Sequence, residues 1–302
     1  MVEPADRTRI LVTGAKGQLG MDVVKVLSPS HDVTGVDVAE LDIRQKDAVE
    51  VLVRETAPRV VVHAAAYTDV DGCESDHETA IAVNRDGTRY VAAACRETGA
   101  RLIYISTDYV FDGEKDSAYH EDDPAHPKTV YGMSKLAGEK AVWEEISDFV
   151  ILRIAWLYGK HGKNFVRAML KLAQQQISAK LQGHLVTPLK VVNDQFGSPT
   201  WSMEVARQIE AILTSDIRGV CHATGQGEVS WYDFATDIFA INKLKVLVLP
   251  CTTEEFPRPA PRPRRSTLDN RRLREAGLDV MRPYREALEE FLTQGATTSQ
   301  QE

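Results

Sequence analysis

The sequence lacks the features that mark membrane-spanning, disulfide-stabilised and metal-binding proteins. Among its 302 residues, no apolar run approaches the ~18 residues that a membrane-spanning helix needs. The eight histidines show no metal-ligand spacing, so no metal site is predicted. The four cysteines lie far apart without a Cys-x-x-Cys pair, so we expect free, buried thiols in a reducing compartment. They are Cys73, Cys95, Cys221 and Cys251.

An excess of positive charge is also missing, because the net charge is −8. This acidic balance argues against non-specific binding to nucleic acids or to anionic membranes. The N-terminal segment Met1–Arg9 is polar and has no apolar signal-peptide core, so we expect a cytoplasmic protein. Hydrophobic residues make up 43% and charged residues 26%, which is typical of a globular protein with one large or two modest domains.

Short apolar runs alternate with helical patterns through the first half of the chain. Because the runs are continuously apolar, they predict strands of a parallel sheet that is covered on both faces. The predicted fold class is therefore α/β, a Rossmann-like doubly wound parallel sheet. The predicted strands are Arg9–Thr13, Asp32–Asp37, Val60–Ala64, Arg101–Ser106 and Phe149–Ile154, and the helices are Gly17–Leu27, Gln45–Thr56, Glu78–Thr98 and Thr129–Ile146.

The pattern changes after about Gly159, where a smaller mixed α/β domain is predicted. We expect a first domain of residues 1–158 and a second of residues 159–302. Segments near 189–200 and 219–224 are candidates to return to the first sheet. The later predicted elements are the helices Asn164–Gln175, Thr200–Thr214, Trp231–Ile241 and Pro283–Thr293, and the strands Leu189–Val192 and Val246–Leu249.

A glycine-rich turn follows the first predicted strand, in the run Gly14-Ala-Lys-Gly17-Gln-Leu-Gly20. Glycine permits a tight turn and a close approach of the backbone to a pyrophosphate, which the next helix faces with free N–H groups. We therefore predict that the first domain binds a dinucleotide. The predicted contacts in this turn are Gly14, Gly17, Gln18, Leu19 and Gly20.

Asp37 ends the second predicted strand, where a carboxylate can bond an adenosine ribose. Such an acid favours NADH over NADPH, because a 2′-phosphate would meet a like charge. Lys16 and Arg44 are close enough in sequence to offset that preference, so the sequence leaves NADH or NADPH open. Asp42 and Ile43 are predicted to lie along the adenine edge.

Three residues after the strand Val60–Ala64 are further candidates for cofactor contact. Ala65, Ala66 and Tyr67 offer small residues where the backbone would have to lie close to the dinucleotide. The alternative is that the alanines only pack a helix against the sheet.

Tyr131 and Lys135 are four residues apart, so both side chains lie on one face of the predicted helix. An ammonium beside a phenol lowers the pKa of the phenol from about 10, and we expect this of Tyr131. A phenol with a lowered pKa can exchange a proton while a carbonyl and an alcohol interconvert. Thr107, at the end of the predicted strand Arg101–Ser106, is placed to hydrogen-bond the same carbonyl.

The glycine turn, Thr107, Tyr131 and Lys135 together resemble the extended short-chain dehydrogenase/reductase family. Longer motifs, in the right order from about Ile10 to Phe291, are similar to the dTDP-4-dehydrorhamnose reductases within it. Met1–Arg9 lies before this region and is expected to be a small extension. The motifs are Ala65-Ala-Tyr-Thr-Asp-Val-Asp71, Ser106-Thr-Asp-Tyr-Val-Phe-Asp-Gly113, Tyr131-Gly-Met-Ser-Lys-Leu-Ala-Gly-Glu139, Arg153-Ile-Ala-Trp-Leu-Tyr-Gly159, Asn193-Asp-Gln-Phe-Gly-Ser-Pro-Thr200 and Arg262-Pro-Arg-Arg-Ser-Thr-Leu-Asp269.

The resemblance implies reduction of the C4 ketone of dTDP-4-dehydro-6-deoxy-L-mannose to dTDP-L-rhamnose. It makes Tyr131 the proton donor and gives Lys135 a second role in holding the nicotinamide ribose. Residues 1–158 would then bind the dinucleotide and residues 159–302 the dTDP-sugar substrate. The implied substrate contacts are Thr107, Asp108, Trp156 and Arg262.

Two of these predicted substrate contacts could instead have a role that involves no substrate. Trp156 could simply be packed in the core, since tryptophan is often buried for its area. Arg262 could bind the substrate diphosphate by charge-assisted hydrogen bonds, or it could be a solvated loop charge.

Several alternative functions share parts of this pattern. A sugar-nucleotide 4,6-dehydratase would carry an acid where Tyr109 stands, which argues against that class. An epimerase shares the scaffold, and the fold alone does not exclude it. A non-catalytic dinucleotide-binding module similar to the regulatory subunit of methionine adenosyltransferase is the rival from another class. The presence of Thr107, Tyr131 and Lys135 favours catalysis.

The resemblance also bears on assembly, because some members of the family form Mg²⁺-bridged homodimers through surface acids while others are monomers. A homodimer is therefore possible, but the sequence does not support a Mg²⁺ site. Asp22 lies near the corresponding place on the first predicted helix and is interpreted as an ordinary exposed helical acid.

Overall fold

The computed structural model describes residues 7–298, with side chains described to Gln294. The strands are β1 (Arg9–Thr13), β2 (Asp32–Val36), β3 (Val60–His63), β4 (Arg101–Thr107), β5 (Phe149–Ile154), β6 (Leu157–Tyr158), β7 (Leu189–Val192), β8 (Phe196–Gly197), β9 (Thr200–Trp201), β10 (Gly219–His222), β11 (Val229–Ser230) and β12 (Val248–Cys251). The α-helices are α1 (Gln18–Leu27), α2 (Lys46–Thr56), α3 (Val70–Cys73), α4 (His77–Ile81), α5 (Thr88–Thr98), α6 (Val130–Glu145), α7 (Phe165–Leu181), α8 (Ser202–Ile212), α9 (Trp231–Ile241), α10 (Arg271–Glu275) and α11 (Tyr284–Thr298).

Six parallel strands form the central sheet, in the order β10-β5-β4-β3-β1-β2. Successive residues of a strand point to opposite faces, so Ile10 and Val12 pack on one face with α1 and α8, while Leu11 packs on the other with α2 and α5. The predicted doubly wound parallel sheet is confirmed.

The chain crosses from one side of the sheet to the other between β2 and β3. These two strands lie on either side of β1. A crevice opens at such a reversal, beyond the carboxyl ends of the strands, and ligands bind there in open α/β sheets. The loops that follow β1 and β3 carry Gly14 and Ala65, and both line this crevice.

The second half of the chain builds smaller units beside this sheet. Residues 219–222 return as β10, the edge strand next to β5. Residues 189–200 add no strand to the six-stranded sheet, because β7 pairs with β12 and β8 with β11. A separate apolar core joins α7, α9 and α11 around Tyr158, Trp201 and Phe234. The division of the chain at residue 158 stays a prediction.

The long helix predicted over Glu78–Thr98 is interrupted in the structure. It consists of α4, a π-helical turn at Ala82–Gly87, and α5. A π-helical turn of this kind is frequently found at functional sites, and this one packs against α6.

The ends of the chain and the cysteines complete the comparison with the sequence. Arg9 begins β1 as predicted, and Met1–Asp6 of the expected N-terminal extension lies outside the described residues. All four cysteines are free and buried. Within residues 7–298, no helix combines the length and apolar character that crossing a membrane requires.

Candidate active site

A cavity of about 990 Å³ lies at the carboxyl ends of the central strands. Its walls bring together every predicted cofactor residue and most of the predicted catalytic and substrate residues. The predicted residues in its lining are Gly14, Gly17, Gln18, Leu19, Gly20, Asp37, Asp42, Ile43, Ala65, Ala66, Tyr67, Thr107, Asp108, Tyr131, Lys135 and Trp156. The exception is Arg262, which lies outside this lining.

The glycine turn is shaped by close backbone contacts. Gly14 has a φ of +70°, and a Cβ atom on it would lie 2.7 Å from the Ala65 nitrogen. A Cβ atom on Gly20 would lie 2.1 Å from the Gly14 oxygen. Helix α1 begins after Gly17 without a side-chain cap, so its first N–H groups remain available to an anion.

Asp37 lies beside this turn at the end of β2. One carboxylate oxygen accepts a hydrogen bond from the Lys16 backbone N–H at 2.8 Å, and the other accepts one from the Val38 N–H at 2.8 Å. Two backbone donors therefore fix the carboxylate beside the cavity, where a ribose hydroxyl could donate to it.

The predicted adenine contacts, Asp42 and Ile43, differ in whether their side chains are free to contact an adenine. Both oxygens of Asp42 accept hydrogen bonds from Arg44, with Nε at 2.9 Å and Nη2 at 2.7 Å. The Ile43 side chain is buried and packs against Gly87. The carboxylate of Asp42 is thus already occupied, whereas the Ile43 side chain supplies an apolar part of the wall.

Gln18 tethers the start of α1 to the far wall of the cavity. Its amide nitrogen donates to the Leu157 carbonyl at 3.2 Å, and its amide oxygen accepts from Asn164 at 2.8 Å. The loop between β6 and α7, which includes Gly162 and Lys163, is held across the cavity in this way.

Tyr131 lies in the first turn of α6, which Thr129 caps by accepting a hydrogen bond from the Gly132 N–H at 3.0 Å. The Tyr131 side chain is 9% exposed and meets the ring of Tyr109 edge-on, with centroids 5.6 Å apart. Thr107 follows from β4 and donates to Asp108 at 2.9 Å. A hydroxyl, a phenol and a carboxylate therefore lie close together.

Lys135 lines the cavity, and its ammonium is held against the central sheet. Its ammonium donates to the Ile105 carbonyl at 2.7 Å and lies 4.2 Å from the centroid of the Tyr104 ring. Burial lowers the pKa of Lys135 to about 7, although the nearby charge of Glu139 opposes this.

The expectation of a lowered pKa for Tyr131 is wrong in this structure. Burial raises the pKa of Tyr131 above its usual value, and the Asp108 carboxylate adds to the rise, while a hydrogen bond with Thr107 opposes it. Desolvation is the largest cause of the change in pKa, so the phenol keeps its proton at neutral pH.

Asp108 is a buried carboxyl next to the catalytic candidates. Burial raises its pKa to about 6, against hydrogen bonds from Ser266 and Thr107 that favour the charged form. At neutral pH the group is mostly ionised, and it can accept a hydrogen bond from a sugar hydroxyl.

Trp156 is held in a fixed and strained position. Its φ is +44°, its ring stacks on Trp231 at 3.4 Å, and its Nε1 donates to the Ser266 hydroxyl at 3.1 Å. A Cβ atom on Gly197 would lie 2.3 Å from the Trp156 ring. Strained residues persist where the surroundings hold them, often at ligand sites. The tryptophan both lines the cavity and packs against the second apolar core.

Arg262 is engaged elsewhere. It donates to Asp71 at 2.9 Å and to the Ala260 carbonyl at 2.9 Å, and its side chain is 16% exposed. It borders a separate small recess together with Tyr109 and Thr129. The solvated-charge alternative therefore does not describe it, and a diphosphate would have to compete with Asp71.

Asn84 is an organising residue that the sequence did not reveal. In the π-helical turn, its amide oxygen accepts from the Tyr67 N–H at 2.8 Å, while its amide nitrogen donates to the Tyr67 carbonyl at 3.0 Å and to Ser134 at 2.9 Å. It fixes the cavity wall at Tyr67 against α6. Its neighbours in the run Asn84-Arg-Asp-Gly-Thr-Arg89 are also mostly polar, so no signal in the sequence set it apart.

Two buried polar groups beneath the cavity were also missed. The His63 ring bonds Thr13 at 2.7 Å and Thr88 at 3.2 Å, and burial lowers its pKa to about 3. Glu139 and Arg153 form a buried bidentate ion pair, at 2.9 and 2.7 Å. Satisfied polar groups of this kind keep the strand ends and α6 in a fixed arrangement.

Asp22 is not the exposed acid that the sequence predicted. It is 3% exposed and accepts a hydrogen bond from Ser202, because α1 packs closely on α8. Within residues 7–298, no group of three or more His, Cys, Asp or Glu side chains could hold a metal ion.

Several known proteins are similar to this chain in sequence and in structure. The family model described as RmlD substrate binding domain matches residues 8–297. A protein of Streptomyces griseus named dTDP-4-dehydrorhamnose reductase is 41% identical, over 96% of this chain and 94% of its own length. One of Streptomyces niveus named dTDP-4-keto-6-deoxy-D-glucose reductase is 38% identical, over 93% and 95%. The crystal structure of the Bacillus anthracis dTDP-4-dehydrorhamnose reductase in complex with NADP has a TM-score of 0.90 and 38% identity, covering 95% of this chain and 99% of that one.

Proposed function

We propose, from the premise that this chain belongs to the family described as RmlD substrate binding domain, that it is an NAD(P)H-dependent oxidoreductase of dTDP-rhamnose biosynthesis. It reduces the C4 ketone of dTDP-4-dehydro-6-deoxy-L-mannose to dTDP-L-rhamnose. Relatives named for this reaction cover nearly the whole chain, and a structure similar to it was crystallised with NADP.

One observation carries the proposal. Thr107, Tyr131 and Lys135 line the same cavity as the glycine turn and Asp37. A phenol and a hydroxyl that can share one carbonyl oxygen thus lie within the reach of a dinucleotide.

The residues present fit a dinucleotide. The close approach of Gly14 to Ala65 holds the glycine turn in place, its glycines present no side chain to a pyrophosphate, and the uncapped start of α1 offers N–H donors. Asp37 and Ile43 would hold the adenosine part, and Lys135 the nicotinamide ribose. When bound, the reduced nicotinamide supplies the hydride that the carbonyl carbon accepts.

Tyr131 and Thr107 perform the remaining steps. Because burial raises the pKa of Tyr131, the phenol is protonated at neutral pH and can donate its proton to the C4 oxygen. The Thr107 hydroxyl donates to Asp108 in this structure, and it turns to donate its hydrogen bond to the same oxygen as negative charge develops there. Lys135, one helical turn further along α6, favours the phenolate that remains until solvent restores the proton.

The substrate is held by residues at the mouth of the cavity. Asp108 accepts a hydrogen bond from a sugar hydroxyl, and the fixed ring of Trp156 packs against the sugar. Arg262 releases Asp71 and binds the substrate diphosphate. Similar relatives act on different dTDP-linked keto sugars by name, so we assign the L-rhamno product on the wider set of motifs.

A panel of nucleotide sugars tests this proposal, with NADH and with NADPH as the reductant. We expect loss of nicotinamide absorbance only with a dTDP-linked 4-keto-6-deoxy sugar, and a single product that co-elutes with dTDP-L-rhamnose. A protein that binds the dinucleotide but turns over no sugar would support the binding-module alternative. A homodimer and a cytoplasmic location stay predictions.

A further inference from the structure

The rim of the cavity beside β2 carries an arrangement of charges that bears on the choice between NADH and NADPH. Three carboxylates stand there, on Asp37, Glu40 and Asp42, against two cations, on Lys16 and Arg44. Four of these five residues line the cavity, and Glu40 is bonded to two of the four.

Glu40 links two of the other charged residues, Lys16 and Asp37. One of its oxygens forms an ion pair with the Lys16 ammonium at 2.5 Å, and the other accepts from the Asp37 N–H at 3.1 Å. Lys16 in turn donates its backbone N–H to Asp37. The glycine turn and the loop after β2 are therefore joined through a single side chain.

Both cations that could receive a 2′-phosphate are already occupied. Lys16 is paired with Glu40, and Arg44 holds both oxygens of Asp42. Asp37 forms no ion pair within residues 7–298, and its carboxylate is fixed by two backbone amides. A ribose hydroxyl suits that carboxylate as a donor, whereas a phosphate would place a dianion beside it.

We propose that Glu40, through its ion pair with Lys16 and its bond to Asp37, selects NADH over NADPH in this enzyme. The inference rests on the proposed function and adds the residue that determines cofactor choice. A 2′-phosphate would have to draw Lys16 away from Glu40 and would lie beside the negative charges of Glu40 and Asp37, while a 2′-hydroxyl would leave the Lys16–Glu40 pair in place.

The test measures the dissociation constants of NADH and NADPH by nicotinamide fluorescence on the full chain, without a sugar substrate. We expect NADH to bind about tenfold more tightly or better, because like charges brought together weaken binding. Glu40→Gln removes the charge that holds Lys16 and should shift the ratio towards NADPH by about threefold to fivefold, as expected for an exposed ion pair. Adding Lys16→Met to Glu40→Gln should cancel that shift.

Glu255→Gln is the matched control. Glu255 pairs with Lys190 at 3.3 Å. The two pairs are similarly exposed, because the lysine side chains are 60% (Lys190) and 65% (Lys16) exposed and the glutamate side chains 49% (Glu255) and 46% (Glu40). It lies away from the cavity lining, so the cofactor ratio should not change.

Equal binding of the two cofactors by the unmodified chain, or tighter binding of NADPH, would overturn the inference. So would an unchanged ratio in Glu40→Gln, or a large loss of NADPH affinity in Lys16→Met alone, which would mean that Lys16 already leaves Glu40 for the phosphate. Failure to bind either cofactor would instead overturn the proposed function.

Discussion

The backbone of Gly14 lies so close to Ala65 that a Cβ atom at position 14 would come within 2.7 Å of the Ala65 nitrogen. The loops after β1 and β3 thus touch where the sheet order reverses, and this contact closes the floor of the cavity. Only glycine allows both this contact and the φ of +70° at the same position.

Gly14→Ala should therefore weaken the dinucleotide site more than backbone strain alone would. We expect about tenfold weaker NADH binding, since overpacking forces backbone shifts. Gly99→Ala is the control, because Gly99 has a φ of +72° with no atom within 4 Å of its added Cβ. That variant should lose about 1–2 kcal/mol of stability from strain and bind NADH normally. Equal NADH affinity in the two variants would argue against the contact.

Gly197→Ala should displace the Trp156 ring, because the new methyl group would lie 2.3 Å from it. We expect the KM for the sugar nucleotide to rise about tenfold or more, since small misplacements at a binding site are costly. NADH affinity, measured by fluorescence, should stay the same because the glycine turn is untouched. A normal KM would show that Trp156 does not contact the substrate.

Lys135→Met should alter how the stability of the ligand-free protein depends on pH. The folded-state pKa of Lys135 is about 7, below the value of 10.5 for a free lysine. Between these values the unfolded chain binds a proton that the native chain does not, so the free energy of unfolding rises with pH. Denaturant titrations between about pH 7 and pH 8, below the range in which the raised pKa values of the buried cysteines act in the opposite sense, should show a steeper rise in the parent than in the variant.

Lys140→Met is the control for that experiment, since Lys140 is an exposed lysine on the same helix. Its pH profile should follow the parent. If Lys135→Met also followed the parent, the burial of the Lys135 ammonium would not perturb its proton affinity.

Local patterns were sufficient to predict the framework of the site. The bounds of β1 and β5 match the predicted runs, because continuously apolar residues bounded by polar ones mark buried strands. The glycine turn and the four-residue spacing of Tyr131 and Lys135 are short-range features, so the sequence could locate them on the correct elements.

Features that depend on distant contacts could not be predicted. The Lys135 ammonium turns towards the Ile105 carbonyl, and Arg262 pairs with Asp71, a residue 191 positions away. The strained backbone of Trp156 is held by Trp231 and Ser266. Each depends on how separate elements pack together, which spacing within one element does not encode.

The most direct test of the account compares Tyr131→Phe with the unmodified enzyme in the reduction of dTDP-4-dehydro-6-deoxy-L-mannose, followed by loss of NADH or NADPH absorbance. We predict substrate-dependent oxidation by the unmodified enzyme and a turnover about 10²–10⁴ lower in the variant, the range for losing a positioned acid. Cofactor affinity should be retained, because the glycine turn is unchanged. No substrate-dependent oxidation with either cofactor would contradict the reductase, and near-normal turnover in Tyr131→Phe would contradict its proton donor.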